Sequence, residues 1–327
     1  MDLISRSIAR IQHEWMGRPE HVLFFGHGIG DDLLCTAVAR ELKKRGAGRI
    51  VMFSRHPSLF SFNPEIHAVY GCGYGTVGRR RYAGYSTIIP QYARYDALMD
   101  KDINQPAHFI ETMCGMAGIS GEVEIKPYIY LTDDEKRKGK LVSRQLVIHT
   151  GGLTGDGRMM NKEWCEGRFQ NVVDRLRGEV NFVQLGNSYE PPLTGVFDLR
   201  GKTTLRESAG ILSQSMAFIG LAGFQMHLAR AVDCRGVIVY GGREDPAVSG
   251  YECNENLQGL PPCAPCWQRS RCDINRECMR MIDVGRVVEA TKRQVSLWGH
   301  PVVSEKTLIT ADSLLTQVLT STSQSPS

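Results

Sequence analysis

Three short stretches of the chain carry side chains able to do chemistry. The first, "GHGIGDD" at 26–32, sets Gly26, Gly28 and Gly30 ahead of the carboxylates Asp31 and Asp32, between a strand-like run and a helix-like one. A carboxylate there serves either as a helix cap favoured by the helix dipole or as an acid/base group at the lip of a cleft, where glycines let a substrate approach closely. The second, "HTGGLTGDGRMMNKEW" at 149–164, places Gly151, Gly152, Arg158 and Lys162 in a glycine-rich loop just before an expected helix. Backbone amides, a helix N-terminus and a lysine together suit a diphosphate. The third, "FIGLAGFQMHLARAV" at 218–232, puts Gly220 and Gly223 after a buried strand, with Gln225 and His227 on the helix that follows. His227 is either a satisfied core histidine or a cleft residue. Three glycine turns on one face point to a ligand of the nucleotide type.

A nicotinamide dinucleotide is excluded. The fingerprint G-x-G-x-x-G requires glycine where Asp31 stands, and the next strand, "VMFSRH", ends without the acid that would hold a ribose.

A fourth stretch, "PPCAPCWQRSRCDINRECM" at 261–279, gathers Cys263, Cys266, Cys272 and Cys278 at C-x2-C-x5-C-x5-C spacing. In a cytoplasmic protein a disulfide framework is the weakest explanation. Four thiolates in a polar loop have the chemistry of a closed structural zinc or iron site, which would supply folding energy to a loop with little core of its own. The plainer alternative is four reduced thiols in a loop held by Pro261, Pro262, Pro265 and Trp267. A four-thiolate site leaves no open position for substrate, so its service is to brace the loop. Cys253 is a substitute ligand, and Cys35, Cys72, Cys114, Cys165 and Cys234 read as small apolar residues.

These stretches need elements to position them. A length of 327 residues suits two domains. From residue 21, short β-branched or aromatic runs alternate with helical stretches: "HVLFFG", then "DDLLCTAVARELKKRG" with Leu33, Leu34, Val38 and Leu42 at helical spacing, then "RIVMFS". Residues 55–130 are rich in Gly, Pro, Tyr and Arg, the territory of an acceptor pocket, with one helix around "PAHFIETMCGMAGI". The charged "LTDDEKRKGKLVSRQ", with Thr132 and Glu135 spaced as a capping box, marks a junction. The alternation then restarts: "LVIHTGG", "KEWCEGRFQNVVDRLRG" as one helix, "VNFVQLG", "VFDLRG", "TLRESAGILSQ", "MAFIG", "FQMHLARAV" and "GVIVYGG". The expected fold class is α/β, two doubly wound Rossmann-like domains facing across a cleft, over 1–140 and 141–327, with a cysteine-rich loop at 253–278 in the second.

Hydrophobic residues at 42% and charged residues at 23% are globular values. No run reaches the roughly 18 apolar residues of a membrane helix, and the charged N-terminus lacks the apolar stretch of a signal peptide, so the expected location is the cytoplasm. Ile4, Ile8, Ile11 and Trp15 share a helical face that packs on the protein or touches a membrane surface peripherally, at the inner membrane. A net charge of +4, interleaved with acids, makes nucleic acid an unlikely partner; Arg79, Arg80 and Arg81 form either a solvated loop or a hold for a phosphate-bearing acceptor.

The ordered set "GIGDDLLCTAVARELKKR", "VIHTGG", "NKEWCEGRFQNVVDRL", "FVQLG", "DLRGKTTLRESAGILSQSMAFIG", "MHLARAV", "VIVYGGREDP" and "CAPC…C…CM" resembles glycosyltransferase family 9, which contains the ADP-heptose:lipopolysaccharide heptosyltransferases, from about residue 21 to 293. The resemblance implies a GT-B fold, an acceptor on the N-terminal half and a nucleotide-sugar donor on the C-terminal half. It further implies transfer with inversion in one displacement, without a catalytic metal, onto a hydroxyl of a lipopolysaccharide, surface glycan or glycolipid. Carried over by position, Asp31 is the general base, with Asp32 its near competitor, and Lys162 neutralises the leaving diphosphate beside Gly151 and Gly152. Glu244 and Asp245 of "GGREDP" reach nucleotide or sugar hydroxyls, or form a solvated turn. One departure stands out: the family's G-N-D-S-G-P-M-H is "GLAGFQMH" here, so Ala222 replaces the sugar-contacting aspartate, leaving Gly220, Gly223, Gln225 and His227 to rebuild the contact. Cysteine clusters recur in the family, and related protein heptosyltransferases bind iron through cysteines. The alternative of another class is a non-catalytic sugar-nucleotide-binding scaffold, which Ala222 favours and Asp31 and Lys162 oppose; a metal-ribbon nucleic-acid module is a third.

Overall fold

The apolar runs become two parallel sheets. The computed structural model describes residues 19–24, 28–71, 86–90, 92–104, 106–154 and 157–310. The N-terminal helical face, Gly26, Cys72 and Arg79 to Arg81 lie outside them.

In the N-terminal half, β1 (His21–Phe24) leads into α1 (Ile29–Lys44), followed by β2 (Ile50–Ser54), β3 (Ala68–Gly71) and β4 (Ser86–Ile88). They form a parallel sheet of order β3-β2-β1-β4. A hairpin, β5 (Ala93–Asp96) and β6 (Lys101–Asn104), then precedes α2 (Phe109–Met116), β7 (Gly121–Glu124) and α3 (Asp133–Gly139). Leu33, Leu34, Val38 and Leu42 of α1 are buried, as their spacing predicts.

The second half opens with β8 (Gln145–Ile148), a small hairpin of β9 (Leu153–Thr154) and β10 (Gly157–Arg158), α4 (Arg168–Arg175), β11 (Asn181–Gln184) and β12 (Phe197–Asp198). It continues through α5 (Leu205–Ser213), β13 (Phe218–Leu221), α6 (Phe224–Ala231), β14 (Gly236–Gly241), α7 (Pro246–Ser249), β15 (Glu255–Gln258), α8 (Glu277–Arg280), α9 (Val284–Ser296) and β16 (Lys306–Ile309). Its six-stranded sheet has the order β12-β11-β8-β13-β14-β15, parallel throughout. Strands β8, β13 and β14 are buried at every residue, as a parallel sheet covered on both faces requires. Both sheets reverse direction beside their first strand, and ligands of such sheets bind outside the carboxyl ends of the strands at that switch point. The glycine turns after β1, β8 and β13 stand there.

The capping box at the junction forms: Glu135 N–H donates to the Thr132 hydroxyl at 3.2 Å, and Thr132 N–H to Glu135 at 2.8 Å. Glu135 also takes both arms of Arg206 on α5, at 2.5 and 2.7 Å, which holds its carboxyl down at about 2. Helices α3 and α5 touch through glycines; a Cβ on Gly139 would fall 2.0 Å from the Gly210 carbonyl oxygen. β16 returns to the first half and pairs antiparallel with β7.

One expected element is corrected. The run "KEWCEGRFQNVVDRLRG" is not a single helix: Met160–Lys162 forms a 3-10 turn, and α4 starts only at Arg168, behind Gly167 at φ +74. That left-handed backbone breaks the run. Lys162 therefore does not sit at a helix N-terminus; the helix starts of this half that line the cleft are those of α5 and α6.

Candidate active site

At the carboxyl ends of the two sheets lies a cavity of 490 Å³ lined from both halves. Of the residues singled out from the sequence, Gly28, Gly30, Asp31, Gly151, Gly152, Lys162, Ala222, Gly223, Gln225, His227 and Glu244 line it.

The first wall is the start of α1. Asp31, at the third helical position, accepts the Gly28 N–H at 2.9 Å and also accepts from the Tyr92 hydroxyl. A Cβ at Gly28 would stand 2.7 Å from the Asp31 carboxylate oxygen, so a larger residue there would make that side chain shift. Burial and the neighbouring Asp31 hold the Tyr92 phenol well above its ordinary value, so it stays a donor. Tyr92 is fixed by stacking on Phe109 at 3.9 Å. Asp31 thus caps the helix and lines the cavity at once. Asp32 turns the other way, into the core, where it accepts from Ser54 and meets His56 Nδ1 at 3.0 Å.

The opposite wall holds the cations. Lys162 Nζ pairs with Glu244 at 2.6 Å and donates to the Ala222 carbonyl at 3.3 Å. Burial pulls its ammonium below the ordinary value, with Glu244 opposing the fall. Burial likewise works against ionised Glu244, but Lys162 and Arg243 outweigh it and hold the carboxyl below its ordinary value. Arg243, only 1% exposed, bridges Glu244 and Asp102, and Asp102 also accepts from Arg269 Nε at 3.0 Å and Nη2 at 2.9 Å. A charge network therefore crosses from β6 of one half to the end of β14 in the other. Breaking one partner of such a buried pair costs about 3–5 kcal/mol.

Sequence reasoning missed Tyr92, Asp102, Arg243 and Arg269. Arg243 stands inside "GGREDP", where only the acids drew notice. It missed Glu190 as well. Buried beneath the glycine turns, Glu190 accepts the Asn187 N–H at 3.0 Å and meets His149 Nε2 at 3.4 Å. A Cβ on Gly151 would fall 2.3 Å from the Glu190 carboxyl carbon, and one on Gly186 2.4 Å from its oxygen. These glycines let the loops close over a carboxylate.

His227 combines both of its readings: it lines the cavity and is buried, its Nδ1 2.6 Å from the Tyr251 hydroxyl. Burial drives its pKa down to about 3, so the imidazole is neutral. His108 caps α2 by accepting the Ile110 N–H at 3.1 Å and donates through Nε2 to the Gly250 carbonyl at 2.9 Å, tying the halves together; burial lowers it to about 4. Gly220 is inside β13, where a Cβ would meet the Phe218 ring at 2.4 Å, and Asp245 caps α7 by accepting the Ala247 N–H at 2.9 Å. Neither is among the residues lining the cavity, and Arg158 lies on the short strand β10.

Cys263, Cys266, Cys272 and Cys278 all line a second cavity of 130 Å³, which shares Arg243 with the first. Burial raises the thiols of Cys266 and Cys278. Among the described residues no three His, Cys, Asp or Glu side chains converge closely enough to hold a metal ion. The cysteines are gathered round one space without being drawn together as a ligand set. Cys35, Cys114 and Cys234 are buried, as expected of small apolar residues, and Cys253 is not among the lining of this cavity. Among the described residues no helix is long and apolar enough to cross a membrane.

No family model matches the chain, and neither does any curated protein. Solved structures do. Over 84% of this chain and 97% of the other, the chain superposes on a family 9 glycosyltransferase from Veillonella parvula, with a TM-score of 0.63 at 14% identity. Against the ADP-heptose lipopolysaccharide heptosyltransferase II of E. coli the TM-score is 0.64 at 15% identity, over 85% and 98% of the two chains. The chain has the fold of the family 9 glycosyltransferases. That fold is GT-B, which bears out the resemblance and the two facing Rossmann-like sheets expected from it. A further structure of this fold, the iron-containing dodecameric glycosyltransferase TibC of enterotoxigenic E. coli, matches at a TM-score of 0.64 and 18% identity over 85% of this chain and 76% of that one.

Proposed function

We propose that this protein is an inverting glycosyltransferase, moving a sugar from a nucleoside-diphosphate donor to a hydroxyl of a lipopolysaccharide, other surface glycan or glycolipid. What supports the reading most is that Asp31 and Lys162 face one cavity from opposite halves, at the switch points of both sheets. In this reading residues 1–140 hold the acceptor and 141–327 the donor, in the cytoplasm or at the face of the inner membrane.

The steps follow from the side chains. Asp31 takes the proton of the acceptor hydroxyl, whose oxygen attacks the anomeric carbon from the face opposite the diphosphate. As that bond forms, the bond from the anomeric carbon to the diphosphate oxygen breaks, and the nucleoside diphosphate leaves with the electron pair. Negative charge grows on it, where Lys162 and the backbone amides of the Gly151–Gly152 and Gly223 turns stand ready. Lys162 exchanges its contact with Glu244 for the diphosphate, and Glu244 keeps Arg243 as its partner. Neutral His227 and Gln225 line the side where Ala222 offers no carboxylate, and serve the sugar hydroxyls as hydrogen-bonding groups. The cysteine loop takes no part in the chemistry: four thiolates have the chemistry of a closed zinc or iron site, which would brace the loop on drawing them together.

The second reading, a sugar-nucleotide-binding scaffold, draws on the Lys162 ammonium being satisfied already by Glu244 and the Ala222 carbonyl. A thermal-shift panel of ADP-, GDP-, UDP-, CMP- and dTDP-sugars, followed by assay of nucleotide release, tests both. Binding with release supports the enzyme, binding without release on any acceptor glycan supports the scaffold, and no shift with any donor overturns both.

A further inference from the structure

Trp267 stands in the cysteine loop, yet it lines the large cavity. Its backbone is left-handed, at φ +58, a conformation that residues with a Cβ rarely adopt and that persists only where the surroundings impose it. The surroundings are identifiable. The Trp267 N–H donates to the Arg243 carbonyl at 2.9 Å, and the Trp267 carbonyl accepts the Asp102 N–H at 3.0 Å. Two residues on, the Arg269 N–H donates to the Asp100 carbonyl at 2.9 Å. The loop is thereby laid along β6 as a further strand-like edge, and the Arg243 guanidinium lies 5.8 Å from the centre of the indole ring.

The same hairpin reaches the candidate base. Tyr92, immediately before β5, donates to Asp31, while Asp102, on β6, holds Trp267. One frame therefore fixes a carboxylate and an aromatic residue among those lining a single cavity. A sugar ring offers that pair what it needs: a face of C–H groups for an aromatic ring, and hydroxyls for the carboxylate.

Resting on the glycosyltransferase reading, we propose that Trp267 is a positioning residue for the acceptor, packing against the apolar face of a sugar ring so that one of its hydroxyls meets Asp31. The acceptor is the substrate assigned because the loop docks on the hairpin of the N-terminal half, whereas Lys162 and the glycine turns that suit a diphosphate belong to the other half. The cysteine loop then has a purpose beyond its own stability, since it holds Trp267 in an unfavourable backbone state at the cleft.

The test uses full-length Trp267→Ala and Trp267→Phe with two probes: ADP for the donor side, and core oligosaccharide freed from lipopolysaccharide by mild acid for the acceptor side. Calorimetry of the Ala variant should show oligosaccharide binding weakened about tenfold, ~1.4 kcal/mol, with ADP affinity within twofold of wild type and most of the loss restored in Phe. Oligosaccharide affinity unchanged in Ala overturns the inference and leaves the enzyme reading intact. So does an equal loss of both probes that Phe does not restore, which would mark a structural prop. A wild type that binds ADP but not the oligosaccharide removes the acceptor assignment, and one that binds neither the oligosaccharide nor any nucleotide sugar of the thermal-shift panel removes the glycosyltransferase reading along with it.

Discussion

Mild acid should destabilise this fold through two buried histidines. His108 and His227 are neutral in the folded chain, with burial lowering them to about 4 and about 3 from an ordinary 6.5. A histidine whose folded pKa is depressed binds its proton more readily when unfolded. Its contribution is therefore complete above pH 6.5 and is lost as pH falls from there towards the folded value. At about 1.36 kcal/mol per pH unit for each proton, lowering pH from 7.5 to 5 costs about 2 kcal/mol per histidine, about 4 for this pair, and His67, lowered by burial and by Lys43 and Arg49, adds in the same sense. Carboxyls held low, such as Glu135 and Glu244, contribute only as pH falls below their ordinary value of 4.5, outside this window. Glu305, raised by burial, works in the opposite sense near its lower edge. Urea denaturation at a series of pH values reads the loss. His108→Asn keeps a side chain that can cap α2 and removes one titrating group, so it should roughly halve the slope between pH 6.5 and 5. Stability that stays flat to within about 1 kcal/mol from pH 7.5 to 5 would refute the reasoning.

Other outcomes follow from packing and from the cysteines. Gly139→Ala forces a methyl against the Gly210 carbonyl, separating α3 from α5, and should cost about 1–3 kcal/mol by urea denaturation; an unchanged midpoint would show that the helices part freely. A zinc or iron site would have to draw the four cysteines closer than they stand round their cavity; about one metal per chain in elemental analysis of purified protein would show that they do, and four freely titrating thiols without metal would contradict it.

Much of the fold was legible because parallel strands buried on both faces must be continuous apolar runs: "RIVMFS" and "GVIVYGG" could be little else. The glycine turns were legible for a related reason, since the backbone must close over something there. The break at Gly167 was not, because the apolar spacing continues across it and only the backbone angle reveals the stop. Asp31 and Lys162 were found by their place after strands. Their supporting partners were hidden by distance along the chain: Asp102 and Arg243 are 141 residues apart, and His108 meets Gly250 across 142. No local pattern encodes such a meeting. Trp267 shows the same limit, being ordinary in its loop and informative only against the hairpin.

The central claim concerns Asp31, and turnover tests it most directly. Wild-type protein, Asp31→Asn and Lys162→Ala would be assayed for nucleoside diphosphate release from the donor that binds, with the core oligosaccharide as acceptor. Loss of a general base costs about 10²–10⁴-fold in rate. The account predicts a fall of that size in Asp31→Asn with donor affinity retained, and weakened donor binding in Lys162→Ala. An Asp31→Asn protein that turns over at the wild-type rate would contradict it.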